Sequence, residues 1–146
     1  MNMMKIYNFI TFILLLSLIS ITSFGGEFSI KTENNIIVKL RPGQKVTAGF
    51  TDITASEDVR IIKIEAKKIG LIEAHSMIMD GDVMKMRKIS PELVKNEKYK
   101  FKPGGNHLML FDVERDLKTG DDIKLKFTFQ LQNKKILSES IQFKVK

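Results

Sequence analysis

Two histidines, His75 and His107, and five methionines, Met77, Met79, Met84, Met86 and Met109, gather in two short segments of a 146-residue chain. The remaining methionines, Met1, Met3 and Met4, sit at the extreme N-terminus. Imidazole nitrogens and thioether sulfurs are neutral donors, and the set suits Cu(I) while suiting zinc, magnesium or calcium poorly. With no cysteine in the chain, thiolate-bound zinc, iron–sulfur clusters, disulfides, cysteine nucleophiles and thiolate-based copper electron-transfer sites are excluded. Without negative ligands, such a site favours holding and passing on Cu(I) over cycling to Cu(II). A histidine must be neutral to bind, so affinity is expected to weaken as pH falls through the ordinary imidazole range, about 6.5.

These residues need β-strands to bring them together. Short alternating or β-branched runs recur between turn residues, the pattern of an antiparallel sandwich. Strands are predicted near Ile36–Leu40, Val46–Ile53, Val59–Ala66, Glu73–Met79, Val83–Ile89, Tyr99–Phe101, His107–Phe111, Ile123–Leu131 and Ile136–Val145. Pro42-Gly43, Asp80-Gly81, Pro103-Gly104-Gly105 and Thr119-Gly120-Asp121 break the chain between strands. Ile123, Leu125, Phe127 and Phe129 alternate with polar residues, as do Ile141, Phe143 and Val145, so both sets are core candidates.

Asp80-Gly81 between apolar runs predicts a two-residue type I′ hairpin. That turn sets Met79 opposite Asp82, Met77 opposite Met84 and His75 opposite Met86. Opposite residues hold their Cβ atoms about 4.5–5.5 Å apart on one side of the sheet, close enough to share an ion. The period of two places His107 and Met109 together on one face of their strand. From spacing alone, two readings stand: a metal site, or methionines filling gaps in a core with the histidines apart.

Around this unit, residues 1–25 read as a secretory signal peptide, with Lys5 as the positive region, an apolar stretch from Phe9 to Ile21 and a small-residue cleavage site at Ser23-Phe24-Gly25. The apolar run is shorter than the roughly 20 residues a spanning helix needs, so no stable membrane insertion is expected after cleavage. Residues 26–146 form one domain, periplasmic if the exporter is a bacterium. A composition 43% apolar and 28% charged is that of a globular protein. Without Lys5, 23 basic side chains stand against 17 acidic ones, scattered with few aromatics between them, which reads as a solvated surface and not as a nucleic-acid site. Paired carboxylates such as Glu73 and Glu114 are the best hydrolase candidates. No Ser-His-Asp arrangement is present, and an enzyme is not expected.

The segments His75-Ser76-Met77-Ile78-Met79-Asp80-Gly81-Asp82-Val83-Met84-Lys85-Met86-Arg87 and Lys102-Pro103-Gly104-Gly105-Asn106-His107-Leu108-Met109-Leu110 resemble those of the periplasmic copper chaperones of the PCu(A)C type. That family is marked by a histidine, ten residues, a methionine, about twenty-one residues and then His-x-Met. The first gap here matches; the second has twenty residues, pointing to a shorter loop around Pro91–Lys98. Asn106 stands where the family commonly has tyrosine, and Gly49-Phe50 where it has Gly-Tyr or Ala-Tyr. The resemblance runs from about Pro42 to Val145. It implies an all-β, cupredoxin-like Greek-key antiparallel β-sandwich and a Cu(I) site formed by His75, Met86, His107 and Met109. It further implies delivery of copper to the binuclear centre of cytochrome c oxidase subunit II, directly or through a thiol-bearing copper chaperone.

Overall fold

The computed structural model describes residues 26–146. The leader read over residues 1–25 lies outside the described residues. Ten strands follow in order: β1 Ile30–Ile37, β2 Thr47–Ala55, β3 Val59–Glu65, β4 Ile69–Asp80, β5 Val83–Ile89, β6 Glu92–Leu93, β7 Lys98–Phe101, β8 His107–Val113, β9 Asp122–Leu131 and β10 Ile136–Val145. Their pairings run β5-β4-β8-β2-β1-β10-β9-β3-β6, with β7 beside β2 and a further β3–β4 contact at Ile64↔Ile72 that closes the sheet on itself. All pairs are antiparallel except β1 with β10. Closure leaves β5 as a free edge beyond the ring, joined only to β4.

The alternation of β9 and β10 sends Ile123, Leu125, Phe127, Phe129, Ile141, Phe143 and Val145 into the core, as the sequence requires. Phe127 stacks on Phe129 and on Phe143, with centroids 6.1 and 6.3 Å away. Facing them, Ile37, Ile53, Leu108 and Leu110 are fully buried. Leu108 and Leu110 fix the orientation of β8. With both turned inward, the period of two sends the intervening Met109 and its neighbours His107 and Phe111 to the outer face of the strand.

Three expectations are corrected. The first strand runs from Ile30 and not from Ile36; its polar run Lys31–Asn35 masks it, and Asn34 takes φ 56° where the register shifts between Glu33 and Ile36. The segment 91–98 holds a two-residue strand, β6, whose Leu93 is buried against β3. The hairpin turn lies one residue further along: Asp80 pairs with Val83, so Gly81-Asp82 form the loop. Only Gly81, at φ 63°, has positive φ there, which matches a type II′ turn with glycine first and not the type I′ turn that Asp80-Gly81 suggested.

Candidate metal centre

Moving the turn by one residue moves the strand register by two. Met77 pairs with Met86, Met79 with Met84, and His75 with Lys88. The expected His75–Met86 opposition is therefore wrong, and the two are diagonal neighbours. A two-residue slip preserves the face of every side chain, so Met86 still shares the face of His75.

On its other side β4 pairs with β8, and here His75 lies directly opposite His107, with Glu73 opposite Met109. The imidazole centroids are 6.0 Å apart at an interplanar angle of 67°. One outer face thus carries His75 at its centre, His107 beside it, Met109 diagonal towards Glu73 and Met86 diagonal towards the turn. The opposite face of the same strands supplies Ile72, Ala74, Leu108 and Leu110 to the core. The methionines do not fill the core: Met79, Met84 and Met86 are 61%, 59% and 53% exposed. The reading that sets the histidines apart and seals the sulfurs inside fails on both points.

Each imidazole is oriented by an oxygen. His107 Nδ1 is 2.9 Å from the carbonyl of Gly105. A carbonyl only accepts, so Nδ1 carries the hydrogen and the neutral ring keeps its lone pair on Nε2. That carbonyl is placed by the tight turn after β7, in which the Lys102 amide donates to Asn106 O and Gly104 takes φ 75°. Asn106 Nδ2 donates to the hydroxyl of Tyr99 at 2.7 Å, tying the turn to β7. His75 has the reverse arrangement. Its Nε2 lies 2.9 Å from Glu73 Oε2, and Lys88 Nζ donates to the other Glu73 oxygen at 2.7 Å. Lys88 and His75 hold the Glu73 carboxyl below its ordinary value, so it is an anionic acceptor and His75 Nε2 carries the hydrogen.

The lone pair of His75 then sits on Nδ1, which is buried and has no hydrogen-bond partner. An unpaired buried polar atom costs about 1–3 kcal/mol, a cost that coordination of an ion would remove. Phe111, on the same face of β8, lies 6.0 Å from the His75 ring and gives it an apolar neighbour. The His75 and Glu73 side chains are only 13% and 17% exposed, and His107 is 8% exposed. Two nitrogens with free lone pairs, on largely buried rings and bordered by thioethers, form a soft donor set. Among the described residues no three His, Asp or Glu side chains gather in a cluster fit for a metal ion.

Sequence reasoning missed the service of Glu73 to His75, although the spacing of two that puts both on one face was visible. Glu73 and Glu114 do not pair as a hydrolase would need. Glu73 stands opposite Met109 within β8, whereas Glu114 lies five residues beyond Met109, past the end of that strand. Asp112, Glu114 and Asp116 are exposed.

The LpqE-like family model matches residues 30–138. The chain is 37% identical over 90 residues to the uncharacterized protein RP573 of Rickettsia prowazekii (strain Madrid E), a stretch covering 60% of this chain and 50% of that protein. It therefore spans about half the length of the curated relative it matches. Its fold is similar to the apo PCuAC domain from PmoF1, with TM-score 0.64 and 16% identity over 80% of this chain and 92% of that one. It is also similar to the copper-bound PCuAC domain from PmoF2, with TM-score 0.59 and 14% identity over 80% and 93% of the two chains. These identities speak for the fold, which is the cupredoxin-like sandwich expected from the sequence. Matched by its family model over most of its described length, and in keeping with the resemblance read from the two motif segments, the chain belongs to the LpqE-like family, on the PCuAC fold.

Proposed function

We propose that the protein is a periplasmic copper chaperone that binds one Cu(I) through His75, Met86, His107 and Met109 and delivers it for assembly of the binuclear copper centre of cytochrome c oxidase. The observation that carries this reading is the direct pairing of His75 with His107, with the unpartnered, buried Nδ1 of His75 beside it. His75 would bind through Nδ1 and His107 through Nε2, the two nitrogens left free by Glu73 and Gly105. Flexible thioethers from β5 and β8 complete a neutral set that favours the monovalent ion. A copper-bound domain of the same fold adds support.

Delivery asks for a site that holds its cargo without burying it. Met86, half exposed at the free edge, can be displaced first by the thiolates of an acceptor, such as oxidase subunit II or a thiol-bearing chaperone. Export through cleavage near Gly26 would place the domain where that acceptor works.

Anaerobic competition against a Cu(I) chelator tests the ligand set. The wild type should take up a single tightly held Cu(I), and Met86→Ala and His107→Ala should weaken it strongly. Equal affinity in all three proteins would defeat the assignment. Incubation of the loaded protein with the soluble copper domain of the oxidase subunit should move the metal, and retention of copper would reject that acceptor.

A further inference from the structure

β8 ends its pairing with β4 at His75↔His107, so residues 76–80 of β4 pair only with β5. The hairpin tip is a two-stranded ribbon projecting past the body of the sandwich. Such a ribbon has no core to serve. Yet its outer face carries two rungs of paired methionines, Met77 opposite Met86 and Met79 opposite Met84, in line with His75. All five methionines of the described residues share the face of His75 and His107. Met79 and Met84 are among the most exposed large apolar side chains of the protein, a placement that packing does not explain. Between Lys88 and the turn, this face of the two strands carries no charged side chain.

Directly opposed residues keep their Cβ atoms about 4.5–5.5 Å apart, and each methionine has three rotatable bonds with which to swing its sulfur. A rung of two thioethers can therefore close on one soft monovalent ion. Successive rungs are two residues apart, roughly 7 Å along the strand, a distance that such side chains span between them.

We propose that Met79 and Met84 form a second, thioether-only site for a soft monovalent cation of the Cu(I) class. From it the ion passes by ligand exchange to the Met77–Met86 rung and on to the imidazoles. The inference rests on the copper-binding reading of His75 and His107 for its direction of flow. No electron moves in the transfer: the ion stays monovalent, and at each step an incoming sulfur, or finally an imidazole nitrogen, replaces a departing sulfur. Having no imidazole, the tip site binds more weakly and exchanges faster than the inner site.

Ag(I), a redox-silent ion of the same charge and softness, serves as the probe, read by the methyl resonances of ¹³C-labelled methionine and the ring resonances of histidine in the whole protein. The first equivalent should shift His75, His107, Met86 and Met109; further Ag(I) should shift Met79 and Met84. In Met79→Leu/Met84→Leu, a change that conserves volume, the second uptake should vanish while the first keeps its affinity, and loading of the inner site from a weak silver chelate should slow. Met79 and Met84 methyls unmoved by excess Ag(I) in the wild type would overturn the tip site and leave the inner one intact. Histidine resonances unmoved by the first equivalent would instead overturn the inner site and the relay with it.

Discussion

At His75 the ring nitrogen facing Glu73 must carry the hydrogen, while at His107 the nitrogen facing Gly105 does. The two imidazoles are thus held in opposite tautomers, one by an anion and the other by a neutral carbonyl. A carboxylate partner raises the basicity of a ligating imidazole and fixes its ring, and loss of such a partner commonly costs about 10–100-fold in metal affinity. Glu73→Gln keeps an acceptor oxygen but removes the charge, so Cu(I) affinity should fall within that range while His107→Ala falls further. Chelator competition on both variants measures this. Nitrogen chemical shifts should also report His75 protonated on Nε2 in the metal-free protein at neutral pH. Finding it protonated on Nδ1 would contradict the Glu73 bond. Lys88 belongs to the same unit, because its ammonium holds the other Glu73 oxygen at 2.7 Å and lowers the carboxyl below its ordinary value.

At the scale of elements, the site depends on how β4 registers against β8. The pairing runs from Ile69↔Val113 to His75↔His107. Near its far end Asp112 takes φ 50°, and a Cβ built on Gly70 would stand 2.8 Å from Asp112 Cβ. Those are two short, stiff groups, so neither swings aside. Gly70→Ala should therefore push the strands apart, at a cost of about 1–3 kcal/mol, seen as a lower denaturation midpoint and a weaker cross-strand proton contact between the His75 and His107 rings. An unchanged midpoint would show that this approach does not fix the register. None of this pairing could be read from the sequence, since β4 and β8 are separated by three other strands. The strands themselves were legible wherever alternation was strict, in β9 and β10 above all. The hairpin shows the boundary between the two cases. Its existence and its methionine face followed from Asp80-Gly81 and the period of two, but glycine fits either the first or the second place of a two-residue turn. The opposite partners were accordingly misassigned, while the faces survived. In β1 the polar run Lys31–Asn35 hid the strand, because what holds it is backbone pairing to β2 and β10 and not an alternating apolar face of its own.

Over the whole molecule, the core that stabilises the fold and the proposed ion sites occupy different regions. The ring of strands closes around Phe127, Phe129 and Phe143, all fully buried and stacked, whereas the methionine ribbon extends from the β5 edge outside that ring. Deleting a central ring leaves a cavity that rigid neighbouring strands cannot fill, and Phe127→Ala should destabilise the fold by about 3–5 kcal/mol. Met79→Leu/Met84→Leu removes no core contact, and exposed substitutions of this kind usually stay within about 0.5 kcal/mol. Urea unfolding of the metal-free proteins should separate the two by a wide gap in midpoint with similar slopes. The expected order in silver binding is the reverse: folded Phe127→Ala keeps both uptake steps, and the leucine double variant loses the second. If the leucine variant unfolded as easily as Phe127→Ala, the tip methionines would be structural after all, holding the ribbon to the sandwich instead of waiting on it for an ion.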